Sequence, residues 1–442
     1  MGKRRNRIPS EPVEAHIESL SHDGRGVTRL GGKATFVDGA LPGEDVRLVY
    51  TRRRRDYDEG RTVEVLRAGA DRVSPRCEHF GVCGGCSLQH LAPQAQVAAK
   101  QRRLLDSLQR IGKVEAGEVY APLTGPLWQY RRKARLGVKY VEKKGRVLVG
   151  FCEKHSNRLA DLSRCEVLHP SVGERLPAIE ALIEGLSVRS RIAQVEVAVG
   201  DAATALVFRH LDPLSPADEQ ALAAFGQQHA LHIYLQPGGP DSVAPLWPSD
   251  SVLSYSLEDY DLDLVFRPTD FTQVNAAINR AMVERALALL ETGHEDRVLD
   301  LFCGLGNFSL PLARRVGEVV GVEGEAQLVQ RARDNARHNG IDNAHFHVAD
   351  LSEDPAGSAW LRGQRYDKAL LDPPRTGAAE VLGYLGGLGP AKVVYVSCNP
   401  ATLARDAGVL VNELGFRLCG AGVMDMFPHT AHVESIALFE RA

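Results

Sequence analysis

From about Arg267 onward, short apolar strands alternate with helices, and this constrains the fold more than any other feature of the 442-residue sequence. The helical pattern NAAINRAMVERALALLE leads to the strand RVLDLFC, the glycine turn GLGN, the helix FSLPLARRV and the strand EVVGVE. Helix EAQLVQRARDNARHNG follows, then strands AHFHVAD, YDKALLDPP and KVVYVSCNP. Strands this apolar must be covered on both faces, which helices inserted between them achieve in a doubly wound parallel sheet. Residues 267–442 are therefore expected to form a Rossmann-like α/β domain with its ligands at the carboxyl ends of the strands.

The turn after RVLDLFC carries Gly304 and Gly306, so a ligand can approach the backbone at a helix N-terminus. Glu323, 17 positions after Gly306, ends the next strand, where a carboxylate can bond the ribose hydroxyls of a nucleoside cofactor. A nicotinamide cofactor would use the same arrangement. Two details favour S-adenosylmethionine instead. The dinucleotide fingerprint is incomplete, reading Gly304-Leu-Gly306-Asn-Phe-Ser309, and acidic residues close the following strands, Asp350 in HVAD and Asp372 in LLDPP. With Asp300 they form an acidic rim that repels a pyrophosphate and suits a cationic sulfonium. Helix capping is the plainer use of such residues.

KVVYVSCNP delivers Cys398 to the same end of the sheet, and Asn399-Pro400 breaks the strand and exposes the thiol. Most strand-end cysteines only pack, but a thiolate beside a methyl donor suggests a specific chemistry. The C5 carbon of uracil is too poor a nucleophile to take a methyl group directly. Thiolate addition at C6 makes an enolate whose C5 is nucleophilic, and a base must later remove the C5 proton. Glu434, in PHTAHVESIALF, is the candidate base, with His432 as its competitor.

Of eight cysteines, three are crowded as Cys77-x5-Cys83-x2-Cys86 on a glycine-rich loop. Such a group in a large chain points to metal rather than to disulfides. Zinc and a [4Fe–4S] cluster both accept four thiolates, and three clustered ligands with one remote ligand favour iron–sulfur. Cys165 and Cys152 compete for the fourth position.

The front of the chain has a different texture. Residues 1–67 read as short strands with turn signals between them, which predicts a small OB-like β-barrel. Residues 68–266 mix helical and strand patterns around the cysteine loop and read as a central α+β domain. Net charge is −3, yet residues 1–158 hold 31 basic and 18 acidic side chains, and the remainder holds 22 and 38. A front of +13 followed by −16 suggests a polyanion grip joined to a domain with other work, although a solvated basic surface would give the same count. Arg52 to Arg55, in a predicted hairpin, and Arg131, Arg132, Lys133 and Arg135 are the candidate RNA contacts. With 44% hydrophobic and 25% charged residues and no run of about 18 apolar residues, the chain is expected to be soluble, cytoplasmic and not membrane-bound.

The ordered set YRRKARLGV, FTQVN, DLFCGLGNFSL, LDPPR, SCNPATLARD and terminal HVE resembles the bacterial RNA uracil-5 methyltransferases over nearly the whole chain. The resemblance implies a multidomain protein: a TRAM-type barrel, a central α+β domain with an iron–sulfur cluster, and a class I methyltransferase domain. It implies that Cys398 is the nucleophile and Glu434 the proton acceptor. It further implies S-adenosylmethionine contacts at Gln273, Phe302, Asn307, Glu323, Asp350 and Asp372, and a [4Fe–4S] cluster on Cys77, Cys83, Cys86 and Cys165, which promotes Cys165 over Cys152. Barrel and cluster together imply the branch that methylates 23S ribosomal RNA at a uridine of the uracil-1939 type. The expected substrate is a flipped uridine in a single-stranded loop, met by a monomer. Alternatives within the family are a dual or uracil-747 type rRNA target, or a tRNA target. Outside it stand an iron–sulfur oxidoreductase using a nicotinamide cofactor and a non-catalytic RNA-binding protein.

Overall fold

The computed structural model describes residues 11–351, 353 and 358–441. The basic opening decapeptide lies outside them. Contacts group the chain into two compact units. One holds residues 1–103, 152–158 and 427–432; the other holds 104–151, 159–426 and 433–442. Residues 68–103, with the cysteine loop, and 152–158 thus group with the N-terminal strands, whereas 104–151 and 159–266 group with the α/β sheet.

In the first unit, strands Val13–His16, Ser19–Leu20, Gly26–Leu30, Lys33–Asp38, Asp45–Arg53 and Tyr57–Arg67 form one sheet. Val13–His16 pairs with Asp45–Arg53, while Ser19–Leu20 pairs with Gly26–Leu30 at the other end of the strand order. One continuous stretch, residues 13–20, therefore supplies both edges, and the sheet closes on itself as a barrel. Alternation drives the closure: Val46 and Leu48 point inward to meet Ile17, Val37 and Ala40, all fully buried. A Cβ on Gly26 would lie 2.8 Å from Ile17, so only glycine fits where the barrel pinches. The cysteine loop follows as tight turns, with Phe80 N donating to Cys77 O and Cys83 N to His79 O. The helix Pro93–Ser107 comes next.

The second unit contains two large sheets. The first runs Ala244–Trp247, His232–Gln236, Thr204–His210, Ile192–Val199, Lys133–Val141, Arg146–Gly150. The second runs Ala344–Val348, Glu318–Glu323, Arg297–Leu301, Lys368–Leu371, Lys392–Ser397, Glu434–Arg441, Phe416–Met424, Glu118–Val119. Its first five strands are mutually parallel, and Glu434–Arg441 enters antiparallel to its two neighbours. The inner parallel strands are buried almost throughout, as their apolar sequences require, while the edge strand Ala344–Val348 is only partly covered. Strand order reverses on the two sides of Arg297–Leu301, which opens a crevice at the carboxyl ends.

Candidate active site

The glycine turn is the first wall of that crevice. Arg297–Leu301 ends in Phe302, a non-glycine residue held at φ 65°, followed by Gly304 at 55° and Gly306 at 99°. A bulky residue rarely adopts such a φ, which marks the turn as built for a purpose other than chain reversal. Glu323, at the end of the neighbouring strand, accepts from Gly304 N at 3.1 Å and from Glu325 N at 3.0 Å. The turn and the carboxylate thus hold each other.

Asn307 is fixed more firmly still. Its Oδ1 accepts from the Tyr255 hydroxyl at 2.8 Å and from Asn279 Nδ2 at 2.9 Å, and its Nδ2 donates to Asn279 Oδ1 at 2.9 Å. Burial holds the Tyr255 phenol protonated, so it stays a donor. Gln273 lines a cleft with Thr272, Tyr255, Phe266, Asn279 and Arg280. Its segment is fastened by Arg132 N donating to Val274 O, while Asn275 caps the helix Ala276–Leu290. Tyr255 and Asn279 were not foreseen from sequence; the available signal was an asparagine on the apolar face of NAAINRAMVERALALLE.

Two buried carboxyl groups share the middle of the crevice. Asp300 is fully buried, takes a hydrogen bond from the Ser309 hydroxyl, and is pushed up to about 7 by burial and by the charges of Asp372 and Glu323. Asp372 is likewise pushed up to about 7 by burial and by Glu323. Asp350, two residues beyond Ala344–Val348, is exposed at the outer edge.

The opposite wall carries the thiol. The ladder between Lys392–Ser397 and Glu434–Arg441 ends with Ser397 opposite Ser435, and the Ser435 hydroxyl donates to Ser397 O at 3.1 Å. One step further, this register leaves Cys398 and Glu434 opposite each other. Burial, together with the Glu434 and Asp372 charges, pushes the Cys398 thiol up to about 11, and the Arg375 guanidinium opposes that shift. Glu434 is 5% exposed, and burial and then Asp372 raise its carboxyl well above the ordinary range. Arg375 sits on a loop latched by the helix after Cys398. Asn399 Nδ2 and Thr402 Oγ1 both donate to Arg375 O, Arg405 donates to Thr376 O, and Ala378 N donates to the buried Asp406. The motifs LDPPR and SCNPATLARD, distant in sequence, are one assembly. His432 belongs to the other unit, where its ring packs 5.4 Å from Phe427.

Cys77, Cys83 and Cys86 are half-buried on one loop, and Cys83 Sγ accepts from Gly85 N at 3.4 Å. Cys152 is exposed, with its carbonyl taken by Gly84 N; half-buried Cys165 lies in the other unit. Among the described residues, no group of three or more His, Cys, Asp or Glu side chains is arranged to hold a metal ion. Among the basic candidates, Arg52 to Arg55 and Arg135 are exposed. Arg132 instead pairs with Asp201, and Lys133 is spent on Glu196 and the carbonyls of Pro268 and Asp270. Arg131 lies over the Phe151 ring. No helix among the described residues is long and apolar enough to cross a membrane.

A five-strand parallel sheet with a terminal antiparallel hairpin, a glycine turn and an acidic strand-end crevice define the class I methyltransferase fold. The family model described as tRNA (Uracil-5-)-methyltransferase matches residues 94–442, and the chain belongs to that family. It is 57% identical, over 100% of both chains, to a protein named 23S rRNA (uracil(1939)-C(5))-methyltransferase RlmD from Xanthomonas oryzae pv. oryzae. The protein of the same name from Methylococcus capsulatus is 56% identical over 100% of this chain and 99% of its own. Among solved structures, the Pyrococcus abyssi tRNA (uracil-54, C5)-methyltransferase in complex with S-adenosyl-L-homocysteine superposes with a TM-score of 0.73. That match has 24% identity and covers 96% of this chain and 99% of the other.

Proposed function

We propose that the protein transfers a methyl group from S-adenosylmethionine to C5 of a uridine in 23S ribosomal RNA, at the uracil-1939 position named for its relatives. What supports this reading is the Ser397–Ser435 register, which carried one residue further sets Cys398 against Glu434, with Asp372 near both. Full-length identity to enzymes of that name supports the substrate.

The site fits the cofactor. Gln273, Phe302, Asn307, Glu323, Asp350 and Asp372 would hold it, with Glu323 on the ribose and the Asp300–Asp372 pair facing the cationic end. When bound, the cofactor supplies an electrophilic methyl group on a sulfonium. The chain's own work begins with the Cys398 thiolate, whose electron pair bonds to C6 and leaves an enolate across C5. Its charge helps drive the attack, and Arg375 offsets the cost of forming it. Once C5 is methylated, the Glu434 carboxylate takes the C5 proton. The C–H pair restores the C5–C6 double bond, and the sulfur leaves C6 with its own pair. The high proton affinity of Glu434 makes it an effective acceptor at this step.

The same reading assigns residues 13–67 to a TRAM-like RNA grip, with Arg52 to Arg55 on its hairpin, acting as a monomer on a single-stranded loop from which the base is flipped. Cys77, Cys83, Cys86 and Cys165 would hold a [4Fe–4S] cluster. The N–H to sulfur bond at Cys83 suits a thiolate ligand, and anaerobically purified protein should then contain iron rather than zinc.

Cys398→Ala should lower methyl transfer by about 10^4-fold or more. Glu434→Gln should instead trap a denaturation-stable protein–RNA adduct. Mass spectrometry of RNA from a deletion strain should show one 23S 5-methyluridine missing; loss from tRNA alone, or methylation by Cys398→Ala at the normal rate, would refute the assignment.

A further inference from the structure

Arg375 lies on the loop between the strand Lys368–Leu371 and the helix Ala379–Leu388. Within one compact unit, this loop rests on the helix Pro400–Asn412, which begins two residues after Cys398. Asn399, Thr402 and Asp406 are spaced three and four residues apart, so they share one side of that helix. Asn399 Nδ2 and Thr402 Oγ1 donate to Arg375 O at 3.1 and 3.2 Å. Arg405 Nη2 donates to Thr376 O at 2.9 Å, and Ala378 N donates to Asp406 Oδ2 at 2.8 Å. Between these two contacts Gly377 is held at φ 87°. A Cβ there would lie 2.5 Å from Arg405 Nη2 and 2.6 Å from Asp406 Oδ2, so only glycine lets the loop come this close.

Asp406 holds more than the loop. It is fully buried, and it also accepts from the Tyr395 hydroxyl at 2.6 Å and from Arg405 Nε at 2.8 Å. Tyr395 belongs to Lys392–Ser397, the strand that delivers Cys398. One carboxylate therefore ties together the strand before the thiol, the helix after it and the loop that carries Arg375. A buried charge persists only when it is paired and hydrogen-bonded, so this carboxylate keeps its donors in fixed places. From this we infer that Thr402, Arg405 and Asp406 are positioning residues for Arg375, and that through it they set how readily the Cys398 thiolate forms. The inference rests on the reading of Cys398 as the nucleophile. Burial raises the thiol most, the charges of Glu434 and Asp372 add to that, and Arg375 opposes them. Its attraction falls with distance, so a guanidinium on a loosened loop would stabilise the thiolate less.

Alkylation of Cys398 by iodoacetamide at pH 8, followed by mass spectrometry of the peptide that carries it, tests this in Asp406→Asn and Thr402→Val. Asp406→Asn places an NH2 group among N–H and O–H donors, so the loop loosens and alkylation should slow about three- to tenfold. Removing a negative charge would by itself favour the thiolate and speed the reaction, so slowing is a result that direct electrostatics cannot give. Thr402→Val removes one donor to Arg375 O and should slow alkylation about twofold, which keeps the test readable should the buried substitution unfold the protein. On an Arg375→Ala background neither substitution should slow alkylation further, because each acts through that guanidinium. Alkylation that is unchanged or faster in both single variants, or that slows as much on the Arg375→Ala background as in the wild type, would overturn the inference. Methyl transfer by Cys398→Ala separates the two readings. Transfer at the normal rate removes the nucleophile assignment itself, whereas lost transfer together with wild-type alkylation in Asp406→Asn and Thr402→Val removes only this inference.

Discussion

The two walls of the crevice are built on opposite principles. On the cofactor wall, polar groups are fixed by one another: Glu323 by two backbone N–H groups, and Asn307 by Tyr255 and a reciprocal pairing with Asn279. On the catalytic wall, Cys398 and Glu434 are shifted chiefly by burial and by neighbouring negative charge. The first arrangement removes conformational choice, which is what recognition needs. The second leaves protonation states poised, which is what covalent addition and proton removal need. Breaking the amide pair should therefore damage binding far more than chemistry. Asn279→Ala strands Asn307 Nδ2 and removes one donor to its oxygen, a loss of roughly 1–3 kcal/mol and so about ten- to a hundredfold in S-adenosylmethionine affinity. Calorimetric titration would check this, and an unchanged affinity would show that the lock is incidental.

The catalytic wall answers a different question. Asp372 faces both Cys398 and Glu434, so Asp372→Asn removes a negative charge that disfavours the thiolate. With the thiol pushed up to about 11, the thiolate is a minor species at neutral pH, and its share grows tenfold for each unit the value falls. Alkylation of Cys398 by iodoacetamide at pH 8 should accelerate about tenfold in Asp372→Asn. Arg375→Ala should act in the opposite sense and slow it. Rates that move the same way in both variants would dissolve the contrast between the walls.

The catalytic wall was the more legible of the two in sequence. A parallel sheet sends every strand end to one edge, so reading RVLDLFC, EVVGVE, LLDPP and KVVYVSCNP as strands already gathers Glu323, Asp372 and Cys398 without contact information. Placing Glu434 opposite Cys398 takes one further fact, the antiparallel entry of the last strand, and sequence periodicity does not carry strand direction. The amide lock and the latch of Arg375 by Asn399 and Thr402 were invisible because they join residues more than twenty positions apart through side chains with no periodic signature. Charge was the least faithful guide. Lys133 and Arg132 looked like a surface stripe, but one is half-buried against Glu196 and the other is paired with Asp201, so composition counted as RNA-binding what the fold spends internally.

The smallest expected effect tests whether the acidic floor between the walls distinguishes substrate from product. Burial pushes Asp300 and Asp372 up to about 7, and the charge of Asp372 adds to the shift at Asp300, so ionisation of the pair rises between pH 6 and pH 8. A sulfonium favours the ionised form, so binding it at pH 6 must release protons, and S-adenosylmethionine affinity should rise between pH 6 and pH 8 and then level off. S-adenosylhomocysteine carries a neutral thioether at the same place and gains nothing from that ionisation. The ratio of the two affinities should therefore grow about three- to tenfold over this range, and calorimetry in buffers of different ionisation enthalpy should register proton release with the sulfonium alone. Equal pH dependence for both ligands would place the positive charge away from Asp300 and Asp372 and reduce the acidic floor to a structural feature of the glycine-turn wall.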